Sequence, residues 1–123
     1  MVLAQEGLAI VPTKVSRGRV LMVLVTTSNP REAVSVAEAV VRKKLAACVN
    51  VVPSVTSIFH WKGNVQKSRE VLLIMKTSAR RYPALARFVR SIHSYEVPEI
   101  IALSVDKGLD PYLEWVLKET AIG

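Results

Sequence analysis

A tight turn at Lys62-Gly63-Asn64 joins two strand-like segments, and this hairpin constrains the fold more than any other feature. The returning segment, from Asn64 to Thr77, contains no proline or glycine, so as one strand it would span about 45 Å at roughly 3.3 Å per residue. A compact chain of this length has a radius of gyration of only about 14 Å. The hairpin must therefore bend or project, and a projecting ribbon is marginal alone in water. We expect another copy of the chain to cover it.

The other segments are of two kinds that alternate along the chain. Apolar, β-branched runs predict strands, and apolar residues spaced three or four apart predict helices. Asn29-Pro30 and Asp110-Pro111 each predict a capped helix start. The predicted order is strand, helix, two long strands, helix, strand and helix, at residues 19–27, 30–44, 45–62, 64–77, 78–92, 100–105 and 110–117.

Two strand–helix–strand units with right-handed crossovers predict an α+β fold. This is a ferredoxin-like βαββαβ sandwich with an extended central hairpin and a C-terminal helix. Two helices would cover one face of an antiparallel sheet. Because the first strand between its ends and residues 71–75 of the third strand are apolar on both faces, the other face must be covered as well. That is a second argument for an oligomer.

The 123 residues predict one domain, residues 19–123, after an N-terminal tail, residues 1–18, that we expect to be partly disordered. No apolar run reaches membrane-spanning length, so no membrane partner is expected. The single Cys48 excludes an intrachain disulfide, which is consistent with a cytoplasmic location. The formal charge of +7 favours acidic partners, but the basic residues are scattered and not interleaved with aromatics. Nucleic acid is therefore not an expected partner.

Five short motifs occur in a fixed order along the chain: Lys44-Leu45-Ala46-Ala47-Cys48-Val49-Asn50, Trp61-Lys62-Gly63, Met75-Lys76-Thr77, His93-Ser94-Tyr95-Glu96-Val97-Pro98-Glu99-Ile100 and Tyr112-Leu113-Glu114-Trp115. Together they make the chain resemble the CutA divalent-cation-tolerance family over residues 20–119. The resemblance implies a ferredoxin-like fold in a tight homotrimer, joined through the long strands. It also implies a link to copper and other divalent metals. Such a trimer is similar to the PII-like signalling proteins, which hold small ligands in clefts between subunits.

The chain departs from the family pattern in its last loop and at two neighbouring positions. Ser94 follows the motif histidine where the family often has proline, so we expect a less rigid loop. Family members proposed to bind copper can carry a cysteine at the end of the first strand and a second histidine beside the motif one. Those positions hold Thr26 and Ile92 here, which leaves only His93 of that set.

The candidate metal ligands are His93, Glu96, Glu99 and Cys48. A thiolate and an imidazole suit copper or zinc, and glutamates add oxygens, but a tight site needs three or four ligands. We predict weak binding of Cu(II) or another divalent ion near His93, with Glu96 or Glu99, and no obligate cofactor. The alternatives are a histidine that caps the helix end and a cysteine packed under a helix.

The candidate interface or cleft residues are Trp61, Lys76, Tyr95 and Trp115. We expect Trp61 to be buried against a neighbouring subunit. Trp115 lies on the last helix, which is apolar around most of its circumference, so one side of it is expected to meet a neighbour. Lys76, Tyr95 and Glu99 are expected to converge at one end of the sheet, either as an ion pair or as an anion- or metabolite-binding cleft.

The predicted function is that of a non-enzymatic trimer in divalent metal ion (copper) tolerance or response. The alternative is a PII-like sensor that binds a nucleotide or metabolite between subunits. Acylphosphatases share this fold but need a phosphate-cradling loop after the first strand. Here residues 27–31 contain no glycine, and Pro30 lacks a backbone donor. RNA binding by the sheet would need exposed aromatics, but the third strand offers residues 71–75, which are aliphatic.

Overall fold

The computed structural model describes residues 19–122. The elements are β1 (Val20–Thr27), α1 (Pro30–Arg42), β2 (Cys48–Trp61), β3 (Asn64–Ser78), α2 (Tyr82–Ile92), β4 (Ile100–Ser104) and α3 (Asp110–Glu119). The predicted order of strands and helices is confirmed. The expectation for the tail, residues 1–18, lies outside the described residues. None of the helices described has the length and hydropathy needed to span a bilayer.

The four strands form one antiparallel sheet in the order β2-β3-β1-β4. Strand β1 is central and pairs with β3 on one side and β4 on the other. Strands β3 and β4 both run antiparallel to β1, so they are parallel to each other and never touch. This relation decides which loops meet at each end of the sheet.

The long hairpin is confirmed, because β3 has 15 residues and pairs with β2 as far as Trp61 and Asn64. The turn has positive φ at Lys62 (52°) and Gly63 (83°), the geometry that suits a two-residue hairpin loop. Strand β1 pairs with β3 only over 71–78, so within the described residues the part of β3 from Asn64 to Glu70 pairs with β2 alone. This ribbon projects by about 20 Å. Pro53 does not end β2 but lies in a bulge between Val52 and Val55.

One face of the sheet packs against α1 and α2. The alternate residues of β1 and β3 point towards these helices and, with the apolar faces of both, form the main core: Val23, Val25, Val71, Leu73, Met75, Ala33, Val36, Val40, Leu85 and Val89. Asn29 caps α1, since its side-chain Oδ1 accepts a 2.8 Å hydrogen bond from Glu32 N. Asp110 differs from its prediction, because it is the first residue of α3 and Leu109 holds the cap position. The buried Asp110 Oδ1 has no hydrogen-bond partner among the described residues.

The opposite face of the sheet is covered only in part. Helix α3 packs on it at the level of Val20, where Leu113 and Val116 are buried. The remaining apolar residues of this face are only partly buried or exposed, and we call them the open face: Met22, Leu24, Leu72, Ile74, Ile101 and Leu103. Ile101 is 51% exposed and Leu103 is 45% exposed. Within residues 19–122, part of this sheet face is therefore left uncovered.

Candidate functional site

A cavity of about 790 Å³ lies between the projecting hairpin and the loop that joins α2 to β4. Its hairpin wall comes from Ser57, Ile58, Phe59, Trp61, Gln66, Ser68 and Glu70, and its loop wall from Tyr95, Glu96, Val97 and Glu99. Thr26, near the end of β1, completes the lining. The cavity exists because β2 and β3 extend past β1, and the loop before β4 rises beside the extension. We call it the acidic cavity.

Three carboxylates give this cavity its negative charge. Glu70 is only 8% exposed, although it lies on the part of β3 that projects beyond β1. Glu96 and Glu99 stand in the loop, and among the described residues neither makes an ion pair. Of the described residues that line the cavity, none is lysine or arginine. The site therefore favours a cation over an anion.

Three aromatic side chains also line the cavity: Phe59, Trp61 and Tyr95. Tyr95 Oη donates a 2.8 Å hydrogen bond to Glu70 Oε2. Burial, and then this hydrogen bond and the negative charge of Glu70, raise the pKa of Tyr95 to about 12. Tyr95 therefore stays neutral and ties the loop to the hairpin. Trp61 is 57% exposed in the single chain.

His93 ends α2 and holds the loop from beneath. Its side chain is 0% exposed. Nε2 lies 2.7 Å from Thr26 O, and Nδ1 accepts a 3.0 Å hydrogen bond from Tyr95 N. A neutral ring with its proton on Nε2 satisfies both contacts, because Nε2 then donates to the carbonyl. In this arrangement neither ring nitrogen is left for a metal ion, so His93 is a positioning residue for the loop.

Glu32 holds the same loop from the start of α1. Its carboxylate accepts hydrogen bonds of 2.8 Å from Ser94 N and 3.0 Å from Ser94 Oγ. It also accepts a 3.1 Å bond from Ser28 Oγ. Its link to Ser94, 62 positions away, carried no sequence signal. Two hydrogen bonds to Glu32 therefore fasten Ser94, and with it the start of the loop, to the beginning of α1.

Acidification is expected to destabilise the protein through Glu32. Burial by itself would raise the pKa of this carboxyl, but the hydrogen bonds from Ser94 and Ser28 outweigh it and hold the pKa below the ordinary value of 4.5. Since the pKa is lower in the folded chain, the carboxylate stabilises the fold above pH 4.5, and this contribution is lost as the pH falls through the folded-state value. Urea unfolding of wild type and Glu32→Gln from about pH 7 to about pH 3 measures it. The difference between the two should shrink on acidification, and a constant difference would contradict the assignment.

Cys48 and Lys76 lie away from the acidic cavity. Lys76 Nζ is 3.6 Å from Cys48 Sγ and also contacts Asn50 Oδ1. Lys76 pairs with Met22, four residues along β1 from Thr26, which corresponds to about 13 Å along the strand. The prediction that Lys76 converges with Tyr95 and Glu99 is therefore wrong. Because β3 and β4 are parallel, the C-terminal end of β3, which carries Lys76, and the N-terminal end of β4, which follows Glu99, lie at different ends of the sheet.

Trp115 also lies away from the cavity, on α3. Its ring packs against Tyr112 at a centroid distance of 5.6 Å, and it is 41% exposed. Within residues 19–122 no three His, Cys, Asp or Glu side chains gather as a metal ion would require. Glu96 and Glu99 thus share the acidic cavity, His93 lies beneath their loop, and Cys48 does not join them.

The family model for the CutA1 divalent ion tolerance protein matches residues 21–119. Protein CutA of Homo sapiens is 50% identical over 103 residues, which cover 84% of this chain and 58% of that protein. Divalent-cation tolerance protein CutA of Thermus thermophilus is 42% identical over 99 residues, 80% of this chain and 96% of that protein. The crystal structure of CutA1 from Oryza sativa superposes with a TM-score of 0.83 at 39% identity, covering 87% of this chain and 98% of that one.

The chain spans only 58% of the length of the mammalian relatives that it matches. Other relatives carry a location in their names, chloroplastic for a protein of Arabidopsis thaliana and periplasmic for one of Archaeoglobus fulgidus.

Proposed function

Because this chain belongs to the CutA1 divalent ion tolerance protein family, we propose that it acts in tolerance of, or response to, divalent metal ions, copper included, without catalysing a reaction. The observation that carries the proposal is the acidic cavity, where Glu96 and Glu99 present carboxylates to solvent with no cationic partner among the described residues. Such a site attracts a divalent cation without requiring a chemical step.

The donors that line the cavity favour weak binding. Two carboxylates can hold a partly hydrated divalent ion, whereas tight sites for copper or zinc use several imidazole or thiolate ligands. His93 is engaged with backbone groups at both ring nitrogens, and Cys48 lies at the other end of the sheet. We therefore propose that Glu96 and Glu99 contact the ion and that His93 acts by holding their loop.

Calorimetric titration of Cu(II) and Mn(II) into chelator-stripped protein tests this function. We expect dissociation constants of about 0.1 to 1 mM, weakened about tenfold in the Glu96→Gln/Glu99→Gln double variant. Cys48→Ser should bind as wild type does. A His60→Ala background removes the exposed imidazole, which can bind Cu(II) by itself. Equal heats from wild type and the double variant would contradict the proposal.

We also propose that the protein assembles as a homotrimer. The projecting ribbon and the open face support a partner, as do the outer edges of β2 and β4, which pair with no other strand among residues 19–122. A second copy of the chain presents the same surfaces. Trp61 on the ribbon and Trp115 on α3 are the aromatic residues expected at the contacts. Native mass spectrometry of the metal-free protein gives the subunit count, and a mass of one chain would contradict the assembly.

The alternative, a PII-like sensor that binds a nucleotide or metabolite between subunits, is not favoured. A nucleotide brings phosphates, and Glu70, Glu96 and Glu99 would repel them. The cytoplasmic location stays a prediction, since relatives carry chloroplastic and periplasmic in their names.

A further inference from the structure

We propose that the outer surface of α1 and α2 binds an acidic segment of a partner protein. The helix layer is defined here as these two helices with the residues that flank them, 30–44 and 79–92. It lies on the face of the sheet opposite to the open face, so the homotrimer proposed above leaves it exposed. The inference goes beyond the proposed function and does not depend on metal binding.

The helix layer carries the whole net charge of the described residues. It holds eight basic and two acidic residues, whereas the rest of residues 19–122 holds seven of each. The basic residues are spread along the sequence, but folding brings the end of α1 beside the start of α2. There Arg81 donates 3.3 Å hydrogen bonds to the carbonyl oxygens of Lys43 and Lys44. A positive potential concentrated on one side of a protein attracts and orients an acidic partner.

The carboxylates of the layer do not neutralise it. Glu38 pairs with Arg42, and Glu32 accepts its hydrogen bonds from Ser94 in the loop after α2. A guanidinium group binds a carboxylate through two parallel hydrogen bonds, so a partner carboxylate suits an unpaired arginine. Four exposed arginines of the layer have no ion pair among residues 19–122: Arg31, Arg80, Arg87 and Arg90.

Two of these arginines border a small cavity. Arg87 and Arg90 lie three residues apart on α2, hence on the same side of the helix, and both line a cavity of about 340 Å³. The rest of its lining is mainly apolar: Tyr82, Ala86, Val97, Pro98 and Ile100. An apolar side chain of the partner can enter this cavity while neighbouring carboxylates pair with the two guanidinium groups.

The composition of the layer favours a protein over a nucleic acid or a lipid bilayer. Val34 and Val41 on α1 and Ile92 on α2 are 41 to 45% exposed, and a protein partner can bury such surface. Single-stranded nucleic acid binds through aromatic rings on which its bases stack, whereas Tyr82 and Phe88 are only partly exposed. A helix that lies on a bilayer presents a wide apolar face to the lipid, which the charged outer surface of α1 and α2 lacks.

Fluorescence anisotropy of a fluorescein-labelled peptide that repeats Glu-Glu-Leu tests the proposal on the full chain. We expect an apparent dissociation constant of about 10 µM at low ionic strength, and about tenfold weaker binding by Arg87→Gln/Arg90→Gln. Glutamine keeps the helix propensity at these exposed positions. Lys107→Gln/Lys118→Gln is the matched control, because it removes two exposed charges outside the layer, and it should bind within about twofold of wild type. A peptide that repeats Gln-Gln-Leu should not bind.

Several results would overturn the proposal. Equal weakening by the two double variants would show a general effect of net charge, and no binding of the acidic peptide by wild type would remove the partner. Tighter binding of poly(U) RNA or of phosphatidylserine vesicles than of the peptide, lost in Arg87→Gln/Arg90→Gln, would assign the layer to another class of partner. If Mn(II) binds through Glu96 and Glu99 while the peptide does not bind, the proposed function stands and this inference fails.

Discussion

Replacing His93 with alanine is expected to lower the free energy of unfolding by about 3 kcal/mol. The ring is fully buried, and its removal leaves Thr26 O without its donor and Tyr95 N without its acceptor. Each orphaned buried polar group costs about 1 to 3 kcal/mol, and the emptied volume adds to that loss. Urea unfolding followed by circular dichroism measures the change.

The two histidines of the chain provide a matched control for this prediction. His60 is exposed on the ribbon, so His60→Ala should change stability by less than about 0.5 kcal/mol. His93→Asn can keep an acceptor for Tyr95 N, and His93→Gln can place a donor near Thr26 O, so each should lose less than His93→Ala. Equal stability of His93→Ala and His60→Ala would mean that the buried hydrogen bonds do not hold the loop.

Replacing Leu73 with alanine is expected to have an effect of similar size, about 3 to 4 kcal/mol. Leu73 is 0% exposed at the centre of β3 and packs in the main core against the helices. Removal of three carbons there leaves a cavity that a rigid sheet cannot close. Chemical unfolding measures this loss, and a change below about 1 kcal/mol would contradict the assigned core.

Chemical unfolding of Leu72→Ala, a substitution at the neighbouring position, tests whether the chain assembles. Leu72 lies on the open face and is only partly buried in one chain. If the face stays open in solution, Leu72→Ala should cost about 1 kcal/mol or less. If neighbouring subunits cover it, as we propose, the loss should approach that of Leu73→Ala and depend on protein concentration. A small, concentration-independent loss would count against the homotrimer.

Local sequence signals predicted much of the fold. The turn at Lys62-Gly63 and the unbroken run after it predicted the long hairpin, and Asn29 predicted the start of α1. Asp110 was wrongly expected to cap in the same way, because a cap depends on backbone angles that the dipeptide does not set. Of the candidate site residues, Trp61, Tyr95, Glu96 and Glu99 line one cavity.

Other parts of the site had no local signal. Neither Glu70 nor Phe59 was among the candidate site residues, yet both line the cavity. Lys76 was placed with Glu99 because both stand at strand ends. Which strand ends coincide depends on the pairing of β1 with β3 and β4, which joins residues far apart in the chain.

The sequence by itself determined the strands, the helices, their order and the excess of apolar surface, because each depends on side-chain periodicity and turn chemistry within a few residues. Only the tertiary structure decided that the loop after α2 lies beside the projecting ribbon. It also decided that His93 and Glu32 hold this loop while its glutamates line a cavity. The physical reason is that strand register and side-chain burial depend on contacts between segments far apart in the chain. Those contacts determine which charged side chains lie close together.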